Sequence, residues 1–453
     1  MASENTREIV LDMLLSIERE EEYSHRLVGQ VLSKYGYLEA REKAFIKRLF
    51  EGTLERRIEL DYRLDGISNV PTRKMKPLIR NLLRMSTYQL LYMDSVPDSA
   101  AVNEAVRLAG KRGFSNLKGF VNGVLRKFSA DKATVKLPSE QENPKKFLSV
   151  SYSVPEWMAE HFLKIFSYDE TKALLEGLLH IRPVMIRFVS GITDKEREDC
   201  IRRMEQTGVK VSRHAWVKEA WYLYNCENIA LLPGFAQGLF TVQDASSVLA
   251  VAAAGIGRGD KVLDICAAPG GKALLAAEYA GPSGSVEARD ISSRRMERIE
   301  ENVKRMGFSN ISLKLWDGTK RDEDAVETAD VVLADVPCSG LGVMGRKRDI
   351  KYRQSGERMD ALVCLQREIL RQAADYVKPG GILLYSTCTI NPKENEEQID
   401  WLCEEFGFVR EAVTDFLPAD LPHADTAKQG FLQLLPNLHD TDGFFFARLK
   451  KPI

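Results

Sequence analysis

The sequence predicts a multidomain protein with an all-α amino-terminal part, a small α+β module and a carboxy-terminal α/β part built on a parallel, doubly wound sheet. Three observations predict it. The chain has 453 residues, more than one hydrophobic core sustains. From Asn5 to about Phe128 apolar residues recur at helical spacing with no convincing strand. From Gly238 onward short β-prone runs alternate with helical patterns, the mark of a parallel sheet covered by helices.

Composition narrows the class. The chain is 44% hydrophobic and 28% charged, as in an ordinary globular protein. No run approaches the roughly 20 apolar residues of a membrane span, and the opening Met1-Ala2-Ser3-Glu4-Asn5 has neither the basic nor the apolar region of a signal peptide. A cytoplasmic protein is expected. The seven cysteines are an odd number without C-x-x-C pairs, so neither a disulfide framework nor a metal site is expected. The net charge of -1 hides an uneven distribution, because residues 71–130 carry eleven Lys and Arg against three Asp and Glu. Such an excess suits a phosphate backbone, although a solvated helical surface reads the same way.

Taken in order, Ile9, Met13 and Ile17 follow an Asn5-x-x-Glu8 capping pattern, and Val102, Ala105, Val106 and Ala109 form one stripe behind Val96-Pro97-Asp98-Ser99. Five to seven helices are expected over residues 1–130, and residues 131–150, with two prolines and many polar residues, read as a linker. The module over 151–237 should contain a strand at Val184 to Val189, a helix at Asp194 to Gln206 and strands near Val211 and Tyr222. The third part, 238–453, opens with a strand at Lys261 to Ile265 and a glycine-bearing loop. Strands then follow at Ser285 to Ala288, Ile311 to Leu315, Val331 to Ala334 and Ile382 to Tyr385. A β-prone segment, Gly443 to Arg448, should close the sheet.

Chemistry gathers at the strand ends. Successive strands end at Asp264, Asp290, Asp317 and Asp335, and a fifth ends at Cys388; the carboxyl ends of parallel strands converge on one crevice. A single Asp there is more often a helix cap, but a series in register points to a site. The stretch Val331 to Gly342 runs a buried strand into Asp335, Pro337 and Cys338, presenting a carboxylate and a thiol together. The loop Asp264 to Lys272 lets a ligand approach backbone at a helix start, yet it matches neither G-x-G-x-x-G nor a P-loop, since Ala273 follows Lys272. With Asp290 placed to accept ribose hydroxyls and Asp317 toward an adenine, an adenosyl cofactor without pyrophosphate suits the site, S-adenosylmethionine being the obvious one.

The segments DICAAPGGK (264–272), DVPCSGLG (335–342) and YSTCTINPKENEEQI (385–399) resemble the signatures of the RNA 5-methylcytosine methyltransferases. VPDSAAVNEAVRLA (96–109) and KGFVNGVLRKF (118–128) are similar to the NusB-like helical domain of one branch, the RsmB (Sun/Fmu) family, which methylates a cytosine of 16S ribosomal RNA. The likeness extends to FTVQDASSVLA (240–250) and LLPNLHDTDGFFFARLKK (434–451). It implies a class I, Rossmann-like, S-adenosylmethionine-dependent methyltransferase domain behind an RNA-binding NusB-like domain. It also implies Cys388 as nucleophile, Cys338 as the thiol assisting product release, and Asp335 as the group holding the cytosine ring. The implied cofactor contacts are Cys266, Ala267, Ala268, Pro269, Gly270, Gly271, Lys272, Asp290, Asp317 and Asp335, with Lys272 open between the cofactor and the active-site charge. Cys266, Cys364 and Cys403 otherwise read as structural.

The chain departs from the family pattern at Phe188, where Asn is usual, at Arg348, where Pro is commoner, and at Tyr352, where Trp is commoner; these positions are expected in RNA-contacting surfaces. The expected partner is RNA, most naturally 16S ribosomal RNA, and the expected state a monomer. The alternatives are a transfer-RNA substrate, or a non-catalytic RNA-binding assembly or antitermination factor with a vestigial cofactor site. The pair Cys338 and Cys388 beside Asp335 speaks against the last, because a binding protein needs no second thiol.

Overall fold

The computed structural model describes residues 5–19, 23–131, 135–180, 182–226 and 228–453. They form two compact units, one comprising the chain through Leu179 together with Met344–Arg353, the other His180–Val343 and Gln354–Ile453. Among the described residues no helix is long and apolar enough to cross a membrane.

The first unit is helical, with α-helices at Thr6–Arg19, Ser24–Lys34, Ala40–Glu55, Arg57–Asp65, Pro77–Tyr92, Asp98–Lys111 and Lys118–Asp131. Asn5 caps the first, its Oδ1 accepting the amides of Arg7 and Glu8 at 2.9 and 3.3 Å, while the Glu8 carboxylate pairs with Lys111 instead of completing the box. Leu11, Leu49, Phe50, Leu82, Leu125 and Phe128, all fully buried, make the core the stripes predict.

Three expectations need correction. Residues 132–134 of the expected linker lie outside the described residues, but Pro144–Ser151 is a helix capped by Asn143. Two more helices, Glu156–Ile165 and Tyr168–Leu179, also belong to the helical unit, so the middle module begins near residue 180, not 151. Second, the basic excess of residues 71–130 is partly spent on ion pairs: Arg80 with Glu18, Arg84 with Asp61 and Glu18, Lys111 with Glu8, and Arg112 with Asp12. Those acids all lie earlier in the chain, so a window count misses them. Third, Arg348 and Tyr352 are not an open surface. The segment Met344–Arg353 packs into the helical unit, where Arg348 pairs with Glu51 and Glu55, Asp349 accepts from the backbone and hydroxyl of Ser24, and Lys351 donates to the Glu55 carbonyl at 2.8 Å.

The second unit holds two sheets. The smaller, ordered β2-β3-β1-β4, is antiparallel and consists of β1 (Val184–Phe188), β2 (Lys210–Arg213), β3 (Ala220–Tyr224) and β4 (Phe240–Val242), with the helix Asp194–Gln206 between β1 and β2. The fourth strand lies beyond the expected module end at 237, so that boundary moves too. Phe188, expected on a surface, is 3% exposed and edge-on to Trp221 and Phe240, a residue of the core of the small sheet. Its neighbour Arg187 is fully buried and fixes this sheet to the larger one: it donates to Gln243 at 2.7 Å and pairs with Glu278 at 2.8 Å, while Gln243 donates to the Gly271 carbonyl at 3.1 Å.

The larger sheet contains β5 (Lys261–Asp264), β6 (Ser285–Asp290), β7 (Ile311–Leu315), β8 (Ala329–Asp335), β9 (Val377–Thr387), β10 (Val409–Arg410), β11 (Phe431–Leu434) and β12 (Phe444–Lys450). Its order is β10-β12-β9-β8-β5-β6-β7, with β11 on β12. Strands β5 to β9 pair in parallel, and the Gly443 to Arg448 segment joins the sheet as β12, antiparallel to β9, but does not close it, because β10 and β11 pair with β12 on its other side. The topological switch lies between β5 and β8, whose carboxyl ends carry Asp264 and Asp335.

Candidate active site

Register brings the chemistry together. Asp335, the last residue of β8, pairs with Ser386 of β9, so Cys338 and Cys388 leave neighbouring strands side by side, and their Sγ atoms stand 3.2 Å apart. The turn beyond Cys338 is pinned by a close backbone approach. Gly342 donates to the Cys388 carbonyl at 3.1 Å and accepts from Gly443 at 2.9 Å, and a Cβ on Gly342 would lie 1.9 Å from the Gly443 carbonyl oxygen. No side chain fits there.

Asp335 is held on both oxygens, accepting from Lys272 Nζ at 2.7 Å and from Ser386 Oγ at 2.9 Å. Lys272 reaches it from the first turn of the helix Gly271–Ala280, with Nζ also 5.1 Å from the centre of the Phe444 ring. Burial pulls the Lys272 pKa down, but Asp335, Asp264 and Cys388 outweigh it and the net shift is upward, so the ammonium stays charged. The hydrogen bond to Cys388, then burial, holds the Cys338 thiol well above the ordinary thiol range.

Behind Cys338 lies a carboxylate that sequence reasoning missed. Glu394 is fully buried, has no cationic partner among the described residues, and accepts from the Ser339 amide at 2.8 Å, the Ser339 hydroxyl, Gln366 at 3.0 Å and Asn391 at 2.9 Å. Gln366 also donates to the Pro337 carbonyl at 3.0 Å, and Ser339 Oγ lies 2.7 Å from Thr389 Oγ1. Glu394 thus ties the loop carrying Cys338 to the loop carrying Cys388. It lies in the segment 385–399, one of three acids there, and nothing local sets it apart from Glu396 and Glu397.

Of the strand-end acids, Asp290 and Asp335 lie within electrostatic reach of Asp264. Asp264 is fully buried beside Lys272 and Asp335; burial raises its pKa to about 7 against the opposing pull of Lys272 and the Cys266 amide, and no side-chain donor among the described residues reaches either oxygen. Asp290 is 4% exposed, accepts from the Ser292 amide at 2.9 Å and pairs with Arg295 at 3.3 Å. Asp317 is held below the ordinary carboxylate range by the amide and hydroxyl of Thr319. The loop between Asp264 and Lys272 is shaped by Gly270 at φ 102°, where a Cβ would press on Ile299 at 3.1 Å, and burial pushes the Cys266 thiol up. Cys403 is half-buried, whereas Cys364 is exposed on its helix and has no packing role.

Comparison with known proteins decides the family. Residues 255–450 match the family described as 16S rRNA methyltransferase RsmB/F, and residues 4–130 match the NusB family. A Bacillus subtilis protein named probable ribosomal RNA small subunit methyltransferase B is 33% identical over 454 residues, covering all of both chains. The chain belongs to the RsmB family of ribosomal RNA methyltransferases. The Escherichia fergusonii ribosomal RNA small subunit methyltransferase B is 31% identical to this RsmB-family chain over 412 residues, 91% of each. Among solved structures, PH0851 superposes with a TM-score of 0.80 at 27% identity over 99% of both chains. A methyltransferase homologue from Pyrococcus horikoshii gives 0.56 at 27% over 69% of this chain and 100% of its own.

The cofactor of this RsmB-family chain is S-adenosylmethionine, and the crevice fits it. The buried carboxylate of Asp264 suits an ammonium, Asp290 suits vicinal hydroxyls, and Gly270, at φ 102°, makes the turn that leads the loop into the helix Gly271–Ala280.

Proposed function

We propose that this chain transfers a methyl group to C5 of one cytosine in 16S ribosomal RNA through a covalent adduct between Cys388 and C6. The observation that carries the reading is the thiol pair 3.2 Å apart beside the Asp335–Lys272 ion pair. Cytosine C5 is a poor nucleophile. Addition of a thiolate to C6 makes the ring an enamine, and a base must later remove the C5 proton so that the thiol can leave.

Each residue then has a task. Cys388, with the Lys272 charge close by, is the thiolate that attacks C6. Asp335 accepts a hydrogen bond from the cytosine ring, with Lys272 and Ser386 fixing its direction. When Cys388 Sγ bonds to C6 it ceases to be an acceptor, and the largest cause holding Cys338 protonated disappears. Cys338 can then give its proton to solvent, accept the C5 proton and let the adduct collapse. S-adenosylmethionine supplies the electrophilic methyl group when bound, held by the 266–272 loop, Asp264, Asp290 and Asp317. The target base must be unstacked to enter the crevice, with the helical unit and small sheet holding the surrounding RNA. The reaction takes place in the cytoplasm, on a monomeric enzyme.

Bisulfite mapping of ribosomal and transfer RNA from a strain lacking this gene tests the assignment. The expected result is loss of protection at one cytosine of 16S ribosomal RNA. Loss confined to a transfer RNA, or no change, overturns it.

A further inference from the structure

The helical unit contains a cavity of about 560 Å³ that the methyl-transfer chemistry does not use. Four guanidinium groups line it, those of Arg19, Arg57, Arg80 and Arg84, against the carboxylates of Glu18 and Asp61. The carboxylates are already engaged: Asp61 binds Arg84 at 2.6 Å, and Glu18 binds Arg84 at 2.8 Å and Arg80 at 2.9 Å. Among the described residues two cations, Arg19 and Arg57, are therefore left over. Arg57 is the more informative. Its guanidinium lies 3.7 Å from the centre of the Tyr352 ring, and burial lowers its pKa. Among the described residues it has neither an ion pair nor a hydrogen-bond acceptor. Arg80 Nε is likewise buried without a partner.

A desolvated guanidinium without an acceptor is costly unless an anion completes it. Stacking on a ring occupies the face of the group and leaves its in-plane N–H fork free, which matches two phosphate oxygens better than it matches water. We propose that this cavity binds one phosphate group of the RNA backbone, with Arg57 as the bidentate anchor and Arg19 and Arg80 beside it. The proposal rests on the RNA-methyltransferase reading and adds a specific place on the helical unit where the substrate is held.

The test uses the full chain and a fluorescent RNA fragment carrying the mapped cytosine, titrated at several salt concentrations, with inorganic phosphate as a second probe. Arg57→Gln should weaken RNA binding at least several-fold and reduce the slope of log affinity against log salt by about 0.9 or less, as for one lost phosphate contact. Inorganic phosphate should compete in the wild type but not in the variant, and S-adenosylmethionine affinity should be unchanged. Unaltered RNA affinity and salt slope in Arg57→Gln overturn the proposal, as does a site that takes free phosphate while RNA binding is indifferent to it. If Arg57→Gln lowers the melting temperature markedly, Arg19→Gln, at an exposed position on the cavity wall, carries the same expectation. A wild type that fails to bind the RNA at all would count against the functional reading itself.

Discussion

Lys272 Nζ lies 2.7 Å from Asp335 Oδ2, joining the first helix of the α/β sheet to the strand that ends at the thiol pair. The Lys272 side chain is 12% exposed and that of Asp335 30%, so the pair is partly shielded and its field reaches Cys388 with little screening. Lys272→Met should lower the rate of methyl transfer by about 100-fold or more, the usual loss when one preorganised charge is removed. Single-turnover assays at saturating RNA would check it, and a change of less than a few-fold would make the ion pair merely structural.

Glu394 is expected to act as a positioning residue. Glu394→Gln keeps the volume but turns an acceptor toward one of four donors into a donor, at a cost of about 1–3 kcal/mol in stability. Because the loop it holds carries Cys338, release of the adduct should slow more than its formation. The expected readout is accumulation of covalent protein–RNA complex without loss of S-adenosylmethionine affinity. A variant that melts earlier but turns over normally would leave Glu394 with a folding role only.

Asp264 gives the cofactor-free protein a pH dependence. Its carboxyl is raised from 3.8 to about 7, so between those values the folded chain holds a proton that the unfolded chain has lost. Stability therefore falls as pH rises through this window, by up to about 1.4 kcal/mol per unit, and levels off above it. Asp264→Asn should flatten that slope in thermal melts. An ammonium bound against Asp264 favours the ionised form, so calorimetry near pH 6 in buffers of different ionisation enthalpy should register proton release on cofactor binding. No proton release in the wild type would remove Asp264 from the cofactor's contacts.

The sheet was legible because most of its strands are short apolar runs that lead into acids, whereas the register that sets Asp335 beside Ser386 comes from the pairing of β8 with β9. Helix Asp194–Gln206 lies where it is expected, with its amino terminus closed by a capping box between Thr193 and Glu196. Three features depend on partners distant in sequence and so left no local trace. Phe240–Val242 is too short to read as a strand and is defined by its pairing with β1. Arg348 and Tyr352 look like surface residues until Glu51, Glu55 and Arg57 are brought to them. Glu394 reads as one acid among several, and only the fold supplies its donors from Ser339 and Gln366.

Gly342 tests the geometry of the thiol pair from outside it. Gly342→Ala places a methyl group against the Gly443 carbonyl and must push the Cys338 loop away, with a destabilisation of about 1–3 kcal/mol. Methyl transfer should fall further than stability alone accounts for, measured at a temperature where the variant remains folded. Full activity there would mean that the 3.2 Å spacing of the thiols is not required.

The division of labour between the two thiols is tested most directly by electrophoresis under denaturing conditions of wild type, Cys338→Ala and Cys388→Ala, each incubated with labelled 16S ribosomal RNA and S-adenosylmethionine. Cys338→Ala should retain RNA as a stable protein adduct, Cys388→Ala should form none and transfer no methyl group while still binding cofactor, and the wild type should turn over without accumulating adduct. An adduct in Cys388→Ala, or normal turnover in that variant, would contradict the assignment.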